Sequence, residues 1–481
     1  MEKKVLIFQA FFVLFVIWIL KKYRNYFRAV LLAFKLPGPA AVPIIGNVLY
    51  VKDTEAFLGL GIKMASYVPI FRAWIFFVPF FLVYEPEHLK VILANTKVSD
   101  KNFFYAIMHN FIGDGLITST GEKWKKHRRL IQPHFQINIL ESYFEDFVAA
   151  SDQILTKLSG QRHIQITRTI NSCILNILHK TILGVDLKSE FDSPFRRGEL
   201  LLLKRILKPW LLLDSVFKRS EMSKNESKQL SNLHQYVKQV LDDRRVEISK
   251  GSKTNCVLDR LIEISENDDF SDEDIVNEAV TFMLAGQDSV GAAIAFCLHY
   301  LAKYQNIQDK VYKEIDQIIC GNYAQSIQLD QVNRMHYLEQ CLKETMRLMP
   351  SIPLVARELT TDVTLENHTI PAGTNIFISP YATQRLAHIF PNPHEFDPDR
   401  FSQENIKNIH PYAYLPFSAG PRHCIGYKFA YLEMKTIIAT IIKNYILALC
   451  PCHENLTPSY RVSLRAKGGV WLDMRLRNSV L

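Results

Sequence analysis

One cysteine of this sequence lies in a short loop with two glycines and an arginine, directly before a long apolar stretch. The loop follows the pattern F-x-x-G-x-R-x-C-x-G, formed by Phe417, Gly420, Arg422, Cys424 and Gly426. Glycine accepts positive φ and lets a flat ligand approach the backbone. The amides of the helix that follows and the nearby arginine favour a thiolate. A buried cysteine in a Gly-Pro turn would explain the glycines but neither the phenylalanine nor the arginine.

A second group of polar residues interrupts a long apolar helix. Ser271 is a good N-cap, and the helix that it begins should run for roughly 30 residues, or about 45 Å. Its middle reads AGQDS, with Ala285 and Gly286 followed by Asp288 and Ser289. Small residues at this point would also suit a packing notch between helices. An acid inside the apolar run favours a site that moves protons.

Two further pairs have helical spacing. Glu344 and Arg347 are separated by three residues and therefore share one helix face. Taken alone, such a pair is usually an exposed ion pair of little energetic value. Trp124 and Arg128 are separated by four residues in WKKHRR, which in isolation reads as a basic amphipathic helix.

The composition limits the classes of protein to which the chain can belong. It has 481 residues, of which 48% are apolar and 22% charged, and its net charge is +9. This charge suits a membrane surface or an acidic partner, whereas nucleic acid is not expected, because no arginine-rich arm or finger spacing occurs. The absence of any Cys-x-x-Cys pair excludes zinc ribbons and thioredoxin-like motifs.

The N-terminus predicts a membrane anchor. Residues 5–20 carry no charge and are flanked by lysines and arginines, with the larger basic excess on the C-terminal side, which favours a cytosolic body. We expect an anchor over residues 1–22, a basic and Pro-rich hinge over 23–47 and a single domain over 48–481. Residues 205–220 present Trp210 and three leucines between basic residues, which predicts a second membrane contact, with a helix end packed on the core as the alternative.

The remaining pattern is typical of a mainly α (α+β) fold with small sheets. Helical periodicity dominates from about 120 to 345. Residues 69–86 predict two β-runs separated at Pro79, and strand signals return at 353–380. Residues 460–477 predict a hairpin that turns at Gly468 and Gly469.

Together these motifs resemble the cytochrome P-450 superfamily of haem-thiolate monooxygenases, over essentially the whole chain. Within it the sequence is most similar to animal family 4, with an insect-like character. The resemblance implies haem b as cofactor and Cys424 as the axial iron ligand. Many relatives carry a glutamate that forms an ester to the haem where this chain has Ala285, so we expect a non-covalent haem.

The resemblance also implies roles for the other motifs. The implied partners of the haem propionates are Trp124, Arg128 and Arg357. The implied structural network that holds the cysteine loop consists of Glu344, Arg347 and Arg400. Asp288 and Ser289 would deliver protons, although Val290 replaces the usual second alcohol. His423 is expected to be a loop residue.

The implied reaction inserts one oxygen atom of O₂ into an apolar substrate such as a fatty acid, lipid hormone or xenobiotic. Electrons would come from NADPH through NADPH–cytochrome P-450 reductase, with cytochrome b5 as a further partner, at the endoplasmic reticulum membrane. We expect a basic face for this partner, formed by Lys125, Lys126, Arg129, Lys428 and Lys435. The alternatives are a reductase-independent enzyme that rearranges oxygenated lipids and a non-catalytic haem protein that binds a ligand or gas.

Overall fold

The fold is described from a computed structural model of the chain. The structure describes all residues except 1, 51–53, 67–68, 97–99, 188, 190–192, 198–204, 206–207, 253, 321–324, 452, 461–462 and 478–481. Residues 206–207, which belong to the predicted second membrane contact, therefore lie outside the described residues.

Helices form most of the body. The longer ones are α1 (Glu2–Lys22), α2 (Arg24–Lys35), α3 (Thr54–Ala65), α4 (Pro86–Leu93), α5 (Phe103–Ile112), α6 (Gly121–Ile131), α7 (Phe144–Leu158), α8 (Ile166–Leu178), α9 (Glu221–Ser249), α10 (Val257–Asn267), α11 (Asp272–Lys303), α12 (Gln305–Ile319), α13 (Leu329–Arg334), α14 (His336–Leu348) and α15 (Tyr427–Asn444). Single helical turns occur at Ile137–Leu140, Asp214–Phe217 and Pro380–Thr383.

The strands form small, separate sheets. They are β1 (Ile70–Ile75), β2 (Val78–Val83), β3 (His163–Gln165), β4 (Val355–Glu358), β5 (Val363–Leu365), β6 (His368–Ile370), β7 (Asn375–Ile378), β8 (Tyr445–Leu449), β9 (Pro458–Tyr460), β10 (Leu464–Ala466) and β11 (Trp471–Leu476). The sheet orders are β1-β2-β7-β4, β3-β11-β8, β9-β10 and β5-β6, and only β2 and β7 pair in parallel. The predicted mainly α architecture with small sheets is confirmed.

Helix α11 is the axis of the body. The Ser271 hydroxyl accepts a hydrogen bond from the Asp274 N–H, and the Asp274 carboxylate accepts one from the Ser271 N–H, so a capping box fixes the start of the helix. Among the described residues only α11 is long and apolar enough to cross a membrane. Because 72% of its apolar window is buried by protein, α11 is a core helix. The helix packs against α8, α9, α14 and α15.

The predicted hairpin at residues 460–477 is wrong. β10 pairs with β9, whereas β11 pairs with β3 and β8. Gly468 (φ +79°) and Gly469 (φ +78°) therefore turn the chain from one sheet into another. Only strands distant in sequence provide the partners of β11, so local pattern could not reveal this arrangement.

The predicted break at Pro79 also differs from the structure. Pro79 lies inside β2, opposite Trp74, and the turn falls at Phe76 and Phe77. β7 pairs with Phe80–Val83 and not with Pro79, so the missing N–H of this proline is not needed on that side.

Helix α2 occupies the first half of the predicted hinge and packs against the body. Ala29, Leu32 and Ala33 are buried with residues of the first sheet. Arg28 forms an ion pair of 2.7 Å with Asp362. In contrast, Phe12 to Leu20 of α1 expose large apolar side chains.

Candidate active site

A cavity of about 540 Å³ lies between α11, α6 and the cysteine loop. Its walls are mostly apolar, with contributions from α5 and from the sheet that contains β4. The predicted site residues that line it are Trp124, Arg128, Ala285, Gly286, Asp288, Ser289, Arg357, Phe417, Arg422, Cys424 and Gly426. The structure thus brings together motifs that are up to 300 residues apart.

The cysteine loop is held by close backbone contacts. Gly420 has φ +71°, and a Cβ atom added there would lie 1.8 Å from the carbonyl oxygen of Leu93. The Cys424 N–H donates to the Phe417 carbonyl at 2.9 Å. Burial raises the pKa of the Cys424 thiol, while the Gly426 N–H and the Arg128 charge act in the opposite direction. The side chain of Cys424 faces the cavity.

Arg128 fixes the residue before the cysteine. Its guanidinium donates to the carbonyl oxygen of His423 at 3.0 Å and to its Nε2 at 3.2 Å. His423 Nδ1 donates to the carbonyl oxygen of Gly420 at 2.8 Å. Both imidazole nitrogens are therefore engaged within the loop and its neighbouring helix.

Four cations converge on one part of the cavity. The Arg422 guanidinium stacks on the Trp124 ring at 3.8 Å. Burial, Arg357 and Arg128 lower the pKa of Arg422 to about 9. Burial and the charges of Arg357 and Arg422 hold the pKa of Lys101 well below its usual range. Sequence reasoning missed Lys101, and no local motif marks it.

The polar residues in the middle of α11 are bound to neighbouring groups. The Ser289 hydroxyl donates to the Ala285 carbonyl at 2.7 Å. The Asp288 carboxylate forms an ion pair with Arg465 of β10. The Ser351 hydroxyl donates to the Ser289 carbonyl at 2.7 Å. Sequence reasoning missed Arg465 and Ser351, because both approach α11 from distant parts of the chain.

Glu344 and Arg347 form a fully buried pair. Two guanidinium nitrogens of Arg347 donate to the carboxylate of Glu344 at 2.7 and 2.8 Å. The same guanidinium donates to three backbone carbonyls, those of Gln384, Pro393 and Glu395. Arg400 lies 3.5 Å from Glu344. The three predicted network residues therefore lie in contact.

Gln384 connects this pair to the cysteine loop. Its side-chain amide donates to the carbonyls of Met346 and Arg347, each at 2.9 Å. Its side-chain oxygen accepts the N–H of Leu415 at 2.8 Å, at the beginning of the loop. Sequence reasoning missed Gln384, which lies in no recognisable motif.

The predicted basic face is smaller than expected. Lys435 is buried and paired with Glu339 at 3.3 Å. Lys125 pairs with Glu122 at 2.7 Å, and Lys126 pairs with Asp269 at 3.0 Å. Helical periodicity could not show Asp269 and Glu339, which lie on other elements, whereas Glu122 lies three residues before Lys125 on the same helix. Of the five predicted cations, Arg129 and Lys428 are exposed without such a pairing among the described residues.

Glu433 of α15 borders the cavity and is fully buried. Neither carboxylate oxygen has a hydrogen-bond partner among the residues that the structure describes. Burial raises the pKa of Glu433 from 4.5 to about 8. The side chain is therefore a neutral acid at pH 7.

We expect Glu433→Gln to flatten the pH dependence of stability. Between about pH 4.5 and 8 the unfolded chain releases the Glu433 proton and the folded protein retains it, so the free energy of unfolding falls as pH rises. Urea unfolding at about pH 5 and pH 8 would show a smaller difference for Glu433→Gln than for the parent. Glu404→Gln, at an exposed position, is the control. Equal slopes for all three proteins would contradict the assignment.

Comparison with known proteins identifies the family. Residues 36–472 match the family model of cytochrome P-450. The chain is 45% identical over 474 residues to a probable cytochrome P-450 4aa1 of Drosophila melanogaster, covering 95% of this chain and 92% of that protein. It is 34% identical over 437 residues to cytochrome P-450 4c21 of Blattella germanica, covering 85% and 87%.

The chain is also similar to a human protein of family 4. The chain is 33% identical over 468 residues to human cytochrome P-450 4V2, covering 91% of this chain and 89% of that protein. Membership implies a haem cofactor, a redox partner and a hydrophobic substrate. The chain therefore belongs to family 4 of the cytochromes P-450 and is a haem-thiolate monooxygenase.

Proposed function

We propose that this enzyme inserts one oxygen atom of O₂ into a fatty acid, lipid hormone or xenobiotic, using electrons from NADPH. The observation that carries the proposal is that the cysteine loop and an acid–alcohol pair of α11, Asp288 and Ser289, line one mostly apolar cavity. Apolar walls bind an apolar substrate and exclude water from it. The names of the relatives specify no substrate. The proposed class of apolar substrates therefore rests on the chemistry of the cavity.

The residues of the cavity fit haem b. Cys424 is the proposed iron ligand, Gly420 keeps its loop compact, and Gly426 lines the cavity beside it. The proposed partners of the propionates are Trp124, Arg128, Arg357, Arg422 and the newly found Lys101. Arg357 and Arg422 lower the pKa of Lys101, and Arg357 and Arg128 lower the pKa of Arg422. Two carboxylates placed among these four cations would relieve the repulsion.

The remaining residues suit a non-covalent, catalytic haem site. Ala285 presents only a methyl group, which cannot form an ester. When bound, haem would supply the activation of dioxygen. The role of this chain is to orient the substrate and to transfer protons by way of the Asp288 carboxylate and the Ser289 hydroxyl.

NADPH–cytochrome P-450 reductase is the proposed electron donor, with cytochrome b5 as a further partner. Arg129 of α6 and Lys428 of α15, the helix that follows Cys424, are exposed. Such cations attract an acidic donor surface. Only these two of the five cations expected from the sequence support the proposed docking face.

The proposed location is the endoplasmic reticulum membrane, with the body on the cytosolic face and residues 1–22 as the anchor. Large apolar side chains are exposed along α1 and also on α2 and the β1–β2 turn, including Phe34 and Phe77. Between Lys208 and Ser220 the exposed apolar residues are Trp210, Leu213 and Val216. Leu211 and Arg205, which the sequence placed at the membrane, are buried.

Two alternative functions remain distinct from a reductase-dependent monooxygenase. An enzyme that rearranges oxygenated lipids would turn over without a reductase, and a haem protein that only binds ligand or gas would not turn over. Asp288 and Ser289 favour the monooxygenase, because neither alternative needs protons delivered to dioxygen.

Cys424→Ala should remove both the thiolate ligand and the activity. We expect the ferrous–CO complex to lose the long-wavelength band of thiolate-bound haem, and substrate-stimulated NADPH consumption with reductase to stop. Cys320→Ala, which removes an exposed cysteine, is the control and should retain both. A Cys424→Ala protein that kept the band would overturn the ligand assignment. A parent that kept the band without reductase-dependent turnover would favour the alternatives.

Ser289→Ala should reduce product formed per NADPH about tenfold or more, with a matching rise in hydrogen peroxide, because a proton-transferring hydroxyl is lost. Haem content and substrate binding should change little. The bond to Ala285 already orients the serine hydroxyl, and the methyl of Ser289→Thr would restrict its rotamers further, so coupling should improve. If Ser289→Ala couples as well as the parent, Ser289 is a packing residue only.

Membrane binding should persist in part after the anchor is removed. The deletion should end at Lys22, because the buried residues of α2 belong to the body. In this shortened protein, changing Trp210, Leu213 and Val216 to serine should strongly reduce co-sedimentation with phospholipid vesicles. Val246→Ser, at a comparably exposed apolar residue of α9, should have no effect. Unchanged co-sedimentation of the triple variant would show that this segment does not contact the membrane.

A further inference from the structure

Asp288 has a charged partner on another element. Between residues 279 and 302 it is the one Asp, Glu, Lys or Arg of α11. Its carboxylate forms an ion pair with Arg465 of β10, a strand that packs directly on this helix. The Asp288 and Arg465 side chains are 34% and 28% exposed, so the pair is neither sealed in the core nor fully solvated.

The same strand reaches Ser289 by a second route. The N–H of Leu464 donates to the Ser351 carbonyl at 2.8 Å. The Ser351 hydroxyl in turn donates to the Ser289 carbonyl at 2.7 Å. β10 therefore contacts one member of the acid–alcohol pair directly and the other through a single residue.

The strand is also next to the cavity. Tyr460, which pairs with Leu464 in the β9–β10 sheet, lines the cavity together with Ser463. Tyr460 stacks on Phe57 of α3, another lining residue. A molecule in the cavity would therefore touch Tyr460 and Ser463. Arg465, which pairs with Asp288, lies on β10, two residues after Ser463.

From this arrangement we propose that Arg465 is a positioning residue that fixes the direction of the Asp288 carboxylate and so controls proton delivery at Ser289. The inference rests on the proposed function of the acid–alcohol pair. The ion pair with Arg465 restricts the Asp288 carboxylate to one orientation, whereas an unpaired aspartate samples several rotamers. β10 thus connects the cavity to the two residues that transfer protons, Asp288 and Ser289.

The first test measures the pair without measuring activity. Hydrogen exchange of the holoenzyme, followed by mass spectrometry on peptides that cover residues 458–468, reports local opening of the β9–β10 sheet. Arg465→Ala and Asp288→Asn should each speed exchange about two- to fivefold, which is the factor expected from losing a partly exposed ion pair. The double variant should show no further increase. Arg475→Ala, which removes a strand arginine that pairs with Asp473, should leave these peptides unchanged.

The second test measures product per NADPH and the solvent deuterium isotope effect on turnover. Arg465→Ala should lower the product yield several-fold and change the isotope effect, because the proton reaches Ser289 less reliably. Arg465→Lys should recover most of the yield, since an ammonium at the same place still pairs with Asp288. If the ion pair were purely structural, Arg465→Ala would leave the isotope effect unchanged, and Arg465→Lys would have no change to reverse.

The outcomes separate this inference from the proposed function. Unchanged exchange in Arg465→Ala and Asp288→Asn would overturn the ion pair and with it the inference. Faster exchange with normal coupling in Arg465→Ala, while Ser289→Ala uncouples, would overturn the positioning role and leave the proposed function intact. Normal coupling in Ser289→Ala, Asp288→Asn and Arg465→Ala alike would overturn both.

Discussion

The buried pair of Glu344 and Arg347 is the interaction on which the site's geometry depends. Removing two charges from water costs several kcal/mol per ion, so such a pair persists only when its other hydrogen-bonding groups are satisfied. Here Arg347 also donates to backbone carbonyls on the segment between β7 and the cysteine loop. The cost of burial is therefore offset by contacts that hold this irregular segment against α14. Gln384 joins the same segment to Leu415, at the beginning of the cysteine loop. The position of Cys424 therefore depends on the Glu344–Arg347 pair of α14.

The cavity also contains a surplus of positive charge. Arg357 and Arg422 depress the proton affinity of Lys101, and Arg357 also depresses that of Arg422, which is an unfavourable arrangement in an isolated polypeptide. A protein tolerates such strain where a ligand relieves it. The folded chain is thus poised to gain stability from an anionic cofactor, and cofactor binding and stability are thermodynamically linked.

Local sequence was sufficient for features whose cause is local. The Ser271 cap needs only residues three positions apart, and the pairings of Trp124 with Arg128 and of Glu344 with Arg347 need only one helix face. The mainly α fold follows from the same periodicity. The loop around Cys424 was recognisable because its residues lie within ten positions.

Features that depend on distant chain segments were not predictable in this way. Arg465, Gln384 and Lys101 acquire their roles only through partners on other elements. The false hairpin at Gly468 has the same origin, since β11 finds its partners in β3 and β8. The basic face lost Lys435 because helical periodicity cannot tell a lysine paired in the interior from one in solvent.

The contact between Gly420 and Leu93 makes the cysteine loop and the end of α4 depend on each other, because a side chain at position 420 would collide with the Leu93 carbonyl. The two segments are far apart in the sequence. Bringing such remote segments together costs loop-closure entropy that only the later contacts repay. A chain that ended after α14 could not close the cavity, because the cysteine loop, α15 and β9 all contribute to its lining.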